Sequence, residues 1–283
     1  MAIATANNAI EIDIEALLAR EAVVALETDQ EIMDRMRINF QILDDMTGAV
    51  KAGEVRAMIV SGPPGVGKSF GVEAVLGKQE LFNTLMEREP EYEIVKGSMS
   101  SIGLYCKLHQ RKDENQVLVM DDCDSILGDE ECLNLLKGAL DSGDKRVISW
   151  NKDSRILRDE GIDNSFEFKG SVIFITNINF NMVKSKKIRA HLAALESRCH
   201  YIDLGMDTIR EKFLRIHQVV QDGMLDRYAF GEEGNTQIIQ FMQTNALKLR
   251  EISLRMVTKI AALKKAFPNG WQRMARTTCC VKI

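Results

Sequence analysis

The segment AMIVSGPPGVGKSF constrains the fold more than any other part of this chain. It contains the pattern G-x-x-x-x-G-K-[ST] at Gly62, Gly67, Lys68 and Ser69. The apolar run at 57–60 predicts a short buried strand before the pattern, and residues 70–76 predict the start of a helix after it. A glycine-rich loop that occurred by chance would not need a strand before it and a helix after it. A strand, a glycine-rich turn and a helix predict an α/β fold with a phosphate-binding loop.

Each part of the loop has an expected physical task. Glycines let the backbone turn so that its N–H groups face phosphate oxygens, aided by the positive end of the following helix. We expect Lys68 to reach the β- and γ-phosphates of a nucleotide and Ser69 to hold Mg²⁺. The expected nucleotide-binding residues are Gly62, Pro63, Pro64, Gly65, Val66, Gly67, Lys68, Ser69 and Phe70.

A second apolar strand is predicted at 117–120, and it leads directly into Asp121 and Asp122. We expect Asp121 to order the Mg²⁺ shell beside Ser69. Because successive side chains of a strand point in opposite directions, Asp122 is expected to point away from Asp121, where it polarises the attacking water. We interpret Asp124 as the cap of the next helix, with a functional role as the alternative.

The order GPPGVGKS and then VLVMDDCD resembles the AAA+ ATPase family. The resemblance covers roughly residues 38–265 and implies a parallel α/β sheet flanked by helices, followed by a small all-helical C-terminal lid. It also implies Mg²⁺-dependent hydrolysis of ATP. The family generally has Glu at the position of Asp122, and Asp reaches about 1.5 Å less. Because the family includes Asp-Asp members, we still expect ATP hydrolysis, but the sequence does not fix its rate.

Three further residues match family motifs. Asn177 follows the strand predicted at 172–175 and resembles sensor 1, which contacts the γ-phosphate or the attacking water; helix capping is the alternative. Arg198 in Ser-Arg-Cys resembles the arginine finger of clamp-loader-like members, with a surface ion pair as the alternative. Arg255 in the pattern S-L-R resembles the lid arginine called sensor 2, and Arg250 is the second candidate.

The resemblance also predicts the domain organisation. We expect an acidic N-terminal helical extension at 1–37, a nucleotide-binding core at 38–205 and a helical lid with a basic tail at 206–283. An arginine finger acts on a neighbouring subunit, so we expect a ring or helical homo-oligomer, with a hexamer as the expected ring. The core-plus-lid layout also resembles small AAA+ ATPases of tailed phages.

Two segments are candidates for contact with a substrate. The residues Ile102-Gly103-Leu104-Tyr105 match the pore loop of protein-unfolding rings only weakly, and local packing is the preferred interpretation. The stretch 145–170 predicts a hairpin that carries Lys152, Arg155 and Arg158, cations suited to phosphates, together with Trp150, which could stack on a base. The alternative is a hairpin at an edge between subunits, with Trp150 in the core.

Charge is unevenly distributed along the chain, whose formal net charge is −4. Residues 1–34 contain eight acids and one base, whereas residues 245–283 contain nine Lys or Arg and one acid, Glu251. Three hypotheses remain open: a DNA loader, remodeller or translocase, a remodeller of a protein partner bound through 1–34, or a slow nucleotide-gated scaffold.

Composition narrows the cellular setting. No apolar run approaches the roughly 20 residues of a membrane span, and the N-terminus lacks the basic region of a signal peptide. The six cysteines form no C-x-x-C pair, so we expect reduced thiols and no structural zinc. These features predict a cytoplasmic protein without membrane contact, in the host cytoplasm if a phage encodes it.

Overall fold

The structure, a computed structural model, describes residues 21–24, 26–85, 90–178, 180 and 186–281, without the side chains of 79–85, 187 and 188. The part of the predicted N-terminal helix at 1–20 lies outside these residues. The chain divides into two compact units. Asn39–Gly62 and Lys68–Gly205 belong to the first unit, and residues 21–38, Pro63–Gly67 and 206–281 belong to the second.

The strands are β1 (Ala57–Ser61), β2 (Tyr92–Lys96), β3 (Val117–Asp121), β4 (Val147–Ser149), β5 (Ser165–Glu167), β6 (Ser171–Thr176) and β7 (His200–Asp203). The α-helices are α1 (Asp29–Lys51), α2 (Lys68–Leu85), α3 (Ser101–Gln110), α4 (Glu130–Ala139), α5 (Arg155–Asp159), α6 (Lys186–Glu196), α7 (Ile209–Gln221), α8 (Gly231–Thr244), α9 (Leu254–Ala266) and α10 (Trp271–Cys279). Short 3₁₀ helices lie at Asp124–Gly128 and Asp226–Tyr228.

The first unit contains a parallel five-stranded sheet in the order β2-β3-β6-β1-β7. Its central strands β1, β3 and β6 are buried at every residue, which explains their nearly continuous apolar sequences. The strands predicted at 57–60, 117–120 and 172–175 are therefore confirmed. They are each extended by one or two residues, and all three run in the same direction.

The alternation of side chains along these strands builds a core on each face of the sheet. On one face, Ile59, Leu118 and Phe174 belong to a cluster with residues of α3, α4 and α6. On the other face, Met58, Val119 and Ile173 belong to a cluster with residues of α1 and α2. The predicted α/β sheet flanked by helices is confirmed.

A separate antiparallel pair, β4 and β5, forms the small sheet predicted within 145–170, and α5 lies between its strands in the chain. Trp150 is buried there, and its ring centroid lies 5.7 Å from that of Tyr105. The placement of Trp150 in the core is therefore confirmed, and base stacking by this ring is not supported. The location of the hairpin at an edge between subunits stays a prediction. Leu104 and Tyr105 are also buried, in agreement with local packing on α3.

Helices α7, α8, α9 and α10 pack around one apolar core in the second unit, which confirms the helical C-terminal region. The helix α10 lies in the part of 206–283 that the sequence analysis described only as a basic tail. Residues 29–38 of α1 also belong to this unit, where Gln218 Nε2 on α7 donates to Met33 O at 2.7 Å. Among the described residues, no helix combines the length and apolar character needed to cross a bilayer.

Candidate functional site

Several predicted site residues of the first unit lie at the carboxyl ends of three adjacent strands. Lys68 follows the loop after β1, Asp121 ends β3, and Asn177 comes directly after β6. These three strands are neighbours in the sheet although they are far apart in the chain. Ligands of open α/β sheets bind at this edge, so the topology brings the predicted residues to one candidate site.

Lys68 begins α2 and lies almost wholly buried, with its ammonium close to the loop and to β6. Its Nζ donates to Gly62 O at 2.6 Å and to Asn177 Oδ1 at 2.9 Å. A Cβ at Gly62 would lie 3.0 Å from Leu204 O, so a side chain there would crowd the backbone. Glycine therefore allows the turn that holds Lys68 in this position.

Ser69 and Asp121 form the second contact of the site. Ser69 Oγ donates to Asp121 Oδ1 at 2.9 Å, and Asp121 is buried. The opposite oxygen, Asp121 Oδ2, lies 3.1 Å from Lys96 Nζ. A hydroxyl and a carboxylate so placed are hard oxygen ligands of the kind that Mg²⁺ prefers.

Lys96 is a residue that the sequence analysis missed. It ends β2 and is the Cα partner of Asp121 in the parallel register. It also pairs with Glu73 of α2 at 2.9 Å. The hydrogen bond to Glu73 raises the pKa of Lys96 against the opposing effect of burial, and the Asp121 carboxylate adds to the rise. Lys96 could have been found only from the pairing of β2 with β3, which the sequence alone does not show.

Asp122 and Asn177 form the third contact. Asn177 Nδ2 donates to Asp122 Oδ1 at 2.6 Å, while its Oδ1 accepts from Lys68. Asp122 does point elsewhere than Asp121, but the reason given by strand alternation is wrong. The strand ends at Asp121, and Asp122 has φ of 55°, in the left-handed region. That turn, rather than the pleat, separates the two carboxylates.

Asp124 is not a helix cap, contrary to its first interpretation. Asp129 caps α4 by accepting from Glu131 N and Cys132 N. Asp124 begins the 3₁₀ helix, and its Oδ1 accepts from Thr176 Oγ1 at 2.6 Å. Burial raises the pKa of the Asp124 carboxyl, while this hydrogen bond opposes the rise. The pair joins the loop after β3 to the end of β6.

Within the second unit, the loop residues 63–67 contact the start of α9. Leu254 N donates to Gly65 O at 2.9 Å, and a Cβ at Gly65 would lie 2.7 Å from Ser253 Cβ and 3.6 Å from Arg255 Cγ. Arg255 is therefore close to the loop. Arg250 lies elsewhere, where its backbone N donates to Cys279 O at 2.9 Å.

Arg198 lies at the opposite edge of the sheet, directly before β7. It is exposed, and its Nη1 donates to Ala194 O at 2.7 Å and to Ser197 Oγ at 3.3 Å. It lines a cavity of about 480 Å³ at this edge, together with Arg56, Asp141 and His200. The structure thus separates Arg198 from Lys68, Asp121 and Asp122 of its own chain. Phe70, on α2, is 78% exposed.

The described residues contain no group of three or more His, Cys, Asp or Glu side chains arranged to hold a metal ion. Ser69 and Asp121 nevertheless fit Mg²⁺ when phosphate oxygens and water supply the remaining ligands, as Mg²⁺ sites with nucleotides commonly do.

Comparison with known proteins agrees with this α/β architecture. The family model described as the ATPase family associated with various cellular activities (AAA) matches residues 58–200. A protein of Enterobacteria phage T4, described as an uncharacterized 36.7 kDa protein in the nrdC-mobD intergenic region, is 33% identical over 252 residues. This match covers 88% of the chain and 76% of the phage protein.

Solved structures show weaker likeness. NtrX from Brucella abortus in complex with ATP is 12% identical with a TM-score of 0.47, over 90% of this chain and 57% of that one. PCH-2 of C. elegans is 15% identical with a TM-score of 0.34, over 92% of this chain and 65% of that one. The chain thus spans less than two thirds of either. The family match and the phage relative show that it belongs to the AAA ATPase family.

Proposed function

We propose that this chain is a Mg²⁺-dependent ATPase whose active unit is a homo-oligomer. The observation that carries the proposal is the hydrogen-bonded series Lys68–Asn177–Asp122 beside the Ser69–Asp121 pair. It joins a cation suited to phosphate, an amide and a carboxylate suited to water, and a hydroxyl–carboxylate pair suited to a metal. Phosphoryl transfer to water requires these groups.

Binding of the nucleotide is assigned to the loop 62–70. Lys68 is the cation for the β- and γ-phosphates, and Asn177 Oδ1 together with Gly62 O holds its ammonium in place. Because these two acceptors are neutral, they orient the ammonium without cancelling its charge. Gly65, Val66 and Gly67 supply backbone N–H groups for the phosphate oxygens, whereas Pro63 and Pro64 have no N–H to donate.

Ser69 and Asp121 are the proposed holders of Mg²⁺. When bound there, Mg²⁺ would offset the negative charge that develops on the phosphate oxygens. The contact of Asp121 Oδ2 with Lys96 holds this carboxylate in a fixed orientation, with its other oxygen toward Ser69.

Asp122 is the proposed acceptor of the proton from the attacking water, and Asn177 is the proposed positioning residue. The 2.6 Å hydrogen bond between them fixes the direction of the carboxylate. The shorter side chain of Asp, compared with the usual Glu of the family, favours slower hydrolysis rather than loss of activity.

Arg198 is proposed to complete the site of a neighbouring copy. A strand of five residues spans about 16 Å, more than an arginine side chain can bridge to its own phosphate site. The exposure of Arg198 supports a role toward a second copy. Arg255 is proposed as the lid arginine in preference to Arg250, because it lies beside Gly65.

We propose that hydrolysis is coupled to DNA, as a loader, remodeller or translocase. The hairpin cations give this proposal less support than the sequence suggested, since Lys152 pairs with Glu131, Arg155 with Asp159 and Arg158 with Asp153. The basic residues at 245–283 in the second unit give the proposed coupling to DNA more support. The alternatives are remodelling of a protein partner bound through 1–34 and a slow nucleotide-gated scaffold.

The deciding experiment is ATP turnover per subunit across a protein dilution series, with and without single- and double-stranded DNA. We expect turnover per subunit to fall on dilution and to rise with DNA. Turnover that depends on assembly but ignores DNA would favour the protein partner. Turnover that stays constant at all dilutions would contradict the shared site.

A further inference from the structure

Two groups among the cations of the second unit differ in their contacts. In the first group, Lys259 pairs with Glu251 at 3.0 Å, and Lys264 donates to Gln237 Oε1 at 2.8 Å and lies 5.3 Å from the centroid of the Trp271 ring. The second group, which we call the lid patch, consists of Lys248, Arg250, Arg273 and Arg276. Their side chains make no hydrogen bond or ion pair with any part of the chain that the structure describes.

The backbone brings half of the lid patch together. Leu249 and Cys280 form an antiparallel bridge, in which Arg250 N donates to Cys279 O at 2.9 Å and Val281 N donates to Lys248 O at 2.8 Å. Leu249 is buried, and its two neighbours in the chain are exposed. Lys248 and Arg250 therefore lie on the surface on either side of this buried residue.

The helix α10 supplies the other half. It buries Trp271, Ala275 and Cys279, which recur every four residues along one face. Arg273 and Arg276 are exposed and three residues apart, so they are neighbours on the surface of this helix. Because α10 ends beside Leu249 and Arg250, Arg276 lies close to the cations at 248 and 250, and Arg273 lies one turn before it on the same helix.

The electrostatics of Cys280 give an independent measure of this proximity. Burial raises the pKa of the Cys280 thiol, and Cys279 adds to the rise. The positive charges of Lys248, Arg276 and Arg250 act in the opposite direction. Three of the four lid-patch cations are therefore close enough to influence one buried sulfur atom.

We propose that the lid patch binds the phosphodiester backbone of DNA. A chain with a net charge of −4 keeps four neighbouring cations uncompensated here, while it pairs most hairpin cations locally. Duplex DNA carries one charge per about 1.7 Å, which suits several flexible cations at once. The four charges have the same sign and no acidic partner among the described residues, so this surface suits a polyanion. The inference rests on the proposed coupling to DNA and gives it a location.

The test measures binding of the full chain to labelled single- and double-stranded DNA of mixed sequence, without nucleotide, between about 50 and 200 mM salt. Four phosphate contacts predict a slope of log affinity against log salt of about −3.6 on duplex and about −2.8 on single strands. Affinity for duplex then falls about 150-fold over this range. Comparison of the affinities for single- and double-stranded DNA identifies which of the two the lid patch prefers.

The variant Lys248→Ala/Arg273→Ala/Arg276→Ala is expected to reduce the slope on duplex to about −0.9, so that affinity falls only about 3.5-fold over the same range. These residues are exposed, and circular dichroism with a thermal melt checks that the variant folds. The matched control, Lys152→Ala/Arg155→Ala/Arg158→Ala, removes three cations that have partners. It is expected to leave the slope unchanged.

Three results would overturn the inference. One is loss of binding in the hairpin variant with retention in the lid variant. Another is a slope that is unaffected by the lid substitutions. The third is a lid variant that still binds DNA but no longer binds a synthetic peptide of residues 1–20, which would assign the patch to the acidic N-terminal segment. Basal ATP turnover without DNA is measured in parallel. If the chain shows no turnover but binds DNA through the lid patch, only the proposed hydrolysis is contradicted.

Discussion

The two edges of the parallel sheet are built in opposite ways. At the carboxyl edge, Lys68, Asn177 and Asp122 are joined by hydrogen bonds of 2.9 and 2.6 Å. At the amino edge, Arg198 is exposed and its guanidinium contacts only groups at the end of α6, Ala194 O and Ser197 Oγ, among the described residues. One edge is preorganised within the chain, whereas the other presents a cation that has no acidic partner in the part of the chain described.

Under the proposed function, this difference means that each copy carries its own phosphate loop at one edge and an arginine for a neighbouring copy at the other. Preorganised groups need no rearrangement when charge develops, and this is where enzymes obtain much of their rate. Under the same proposal, the cation at the far edge acts when a second copy brings a phosphate to it. The predictions below test whether the two edges have different roles in ATP binding and hydrolysis. They are ordered from the largest expected effect to the smallest.

Lys68→Ala should abolish nucleotide binding, because it removes the ammonium held between Gly62 O and Asn177 Oδ1. The measurement is titration with a fluorescent ATP analogue, and turnover should become undetectable. Lys78→Ala, which replaces an exposed lysine on the same helix, is the matched control. Unchanged affinity for ATP would remove Lys68 from the site.

Arg198→Ala should lower turnover by about 10³-fold or more with little change in ATP affinity, as expected of an arginine finger. When it is mixed with Lys68→Ala, part of the activity should return, because some interfaces then pair an intact loop with an intact arginine. The measurement is turnover at fixed total protein across mixing ratios. Absence of recovery in mixtures shown to co-assemble would count against action between copies.

Asp122→Asn should retain ATP binding and reduce turnover by about 10²- to 10⁴-fold, the range of a lost general base. Asn has the same shape and tolerates the left-handed backbone, so the fold should be preserved. Binding and single-turnover hydrolysis are measured on the same preparation. Normal hydrolysis would assign the activation of water to another residue at this edge.

The smallest effect is expected for Asp124→Asn and concerns stability. Burial raises the pKa of Asp124 above its usual 3.8, so the folded state binds its proton more tightly than the unfolded state does. This carboxyl therefore reduces the free energy of unfolding as pH rises from 3.8 through the folded-state pKa. The amide introduced by the substitution cannot ionise, so the stability of the variant relative to the natural chain should increase over that window.

Urea denaturation between about pH 4 and pH 7, without nucleotide and with a metal chelator, measures this difference. Asp113→Asn, which removes an exposed carboxylate near the start of β3, is the control. Parallel pH profiles of the natural chain and Asp124→Asn would show that Asp124 does not ionise differently in the folded state.

The sequence was sufficient for the strands of the sheet and for the main residues of its carboxyl edge. Strands buried on both faces leave apolar runs, and the residues after them must meet at one edge of a parallel sheet. Lys68, Ser69, Asp121 and Asn177 could therefore be brought together before any coordinates. Their individual roles stay predictions.

Contacts that depend on strand order and side-chain choice could not be predicted in this way. Lys96 ends a partly exposed strand whose neighbour is fixed only by the folded sheet, and Asp124 had several acceptable donors along the chain. The helix α10 was missed because its buried residues, Trp271, Ala275 and Cys279, form a narrow stripe in a polar sequence. Composition alone also could not distinguish the paired cations of the hairpin from the unpaired ones of the lid patch.

The left-handed backbone at Asp122 changes how a family pattern should be applied to sequences of this kind. Asp and Asn adopt that conformation several times more readily than most residues, so the backbone itself favours the shorter acid over Glu. A search that requires Glu here as a mark of an active enzyme would discard such chains for a conformational reason rather than a chemical one. The informative criterion is a short acid that meets the amide after the neighbouring strand.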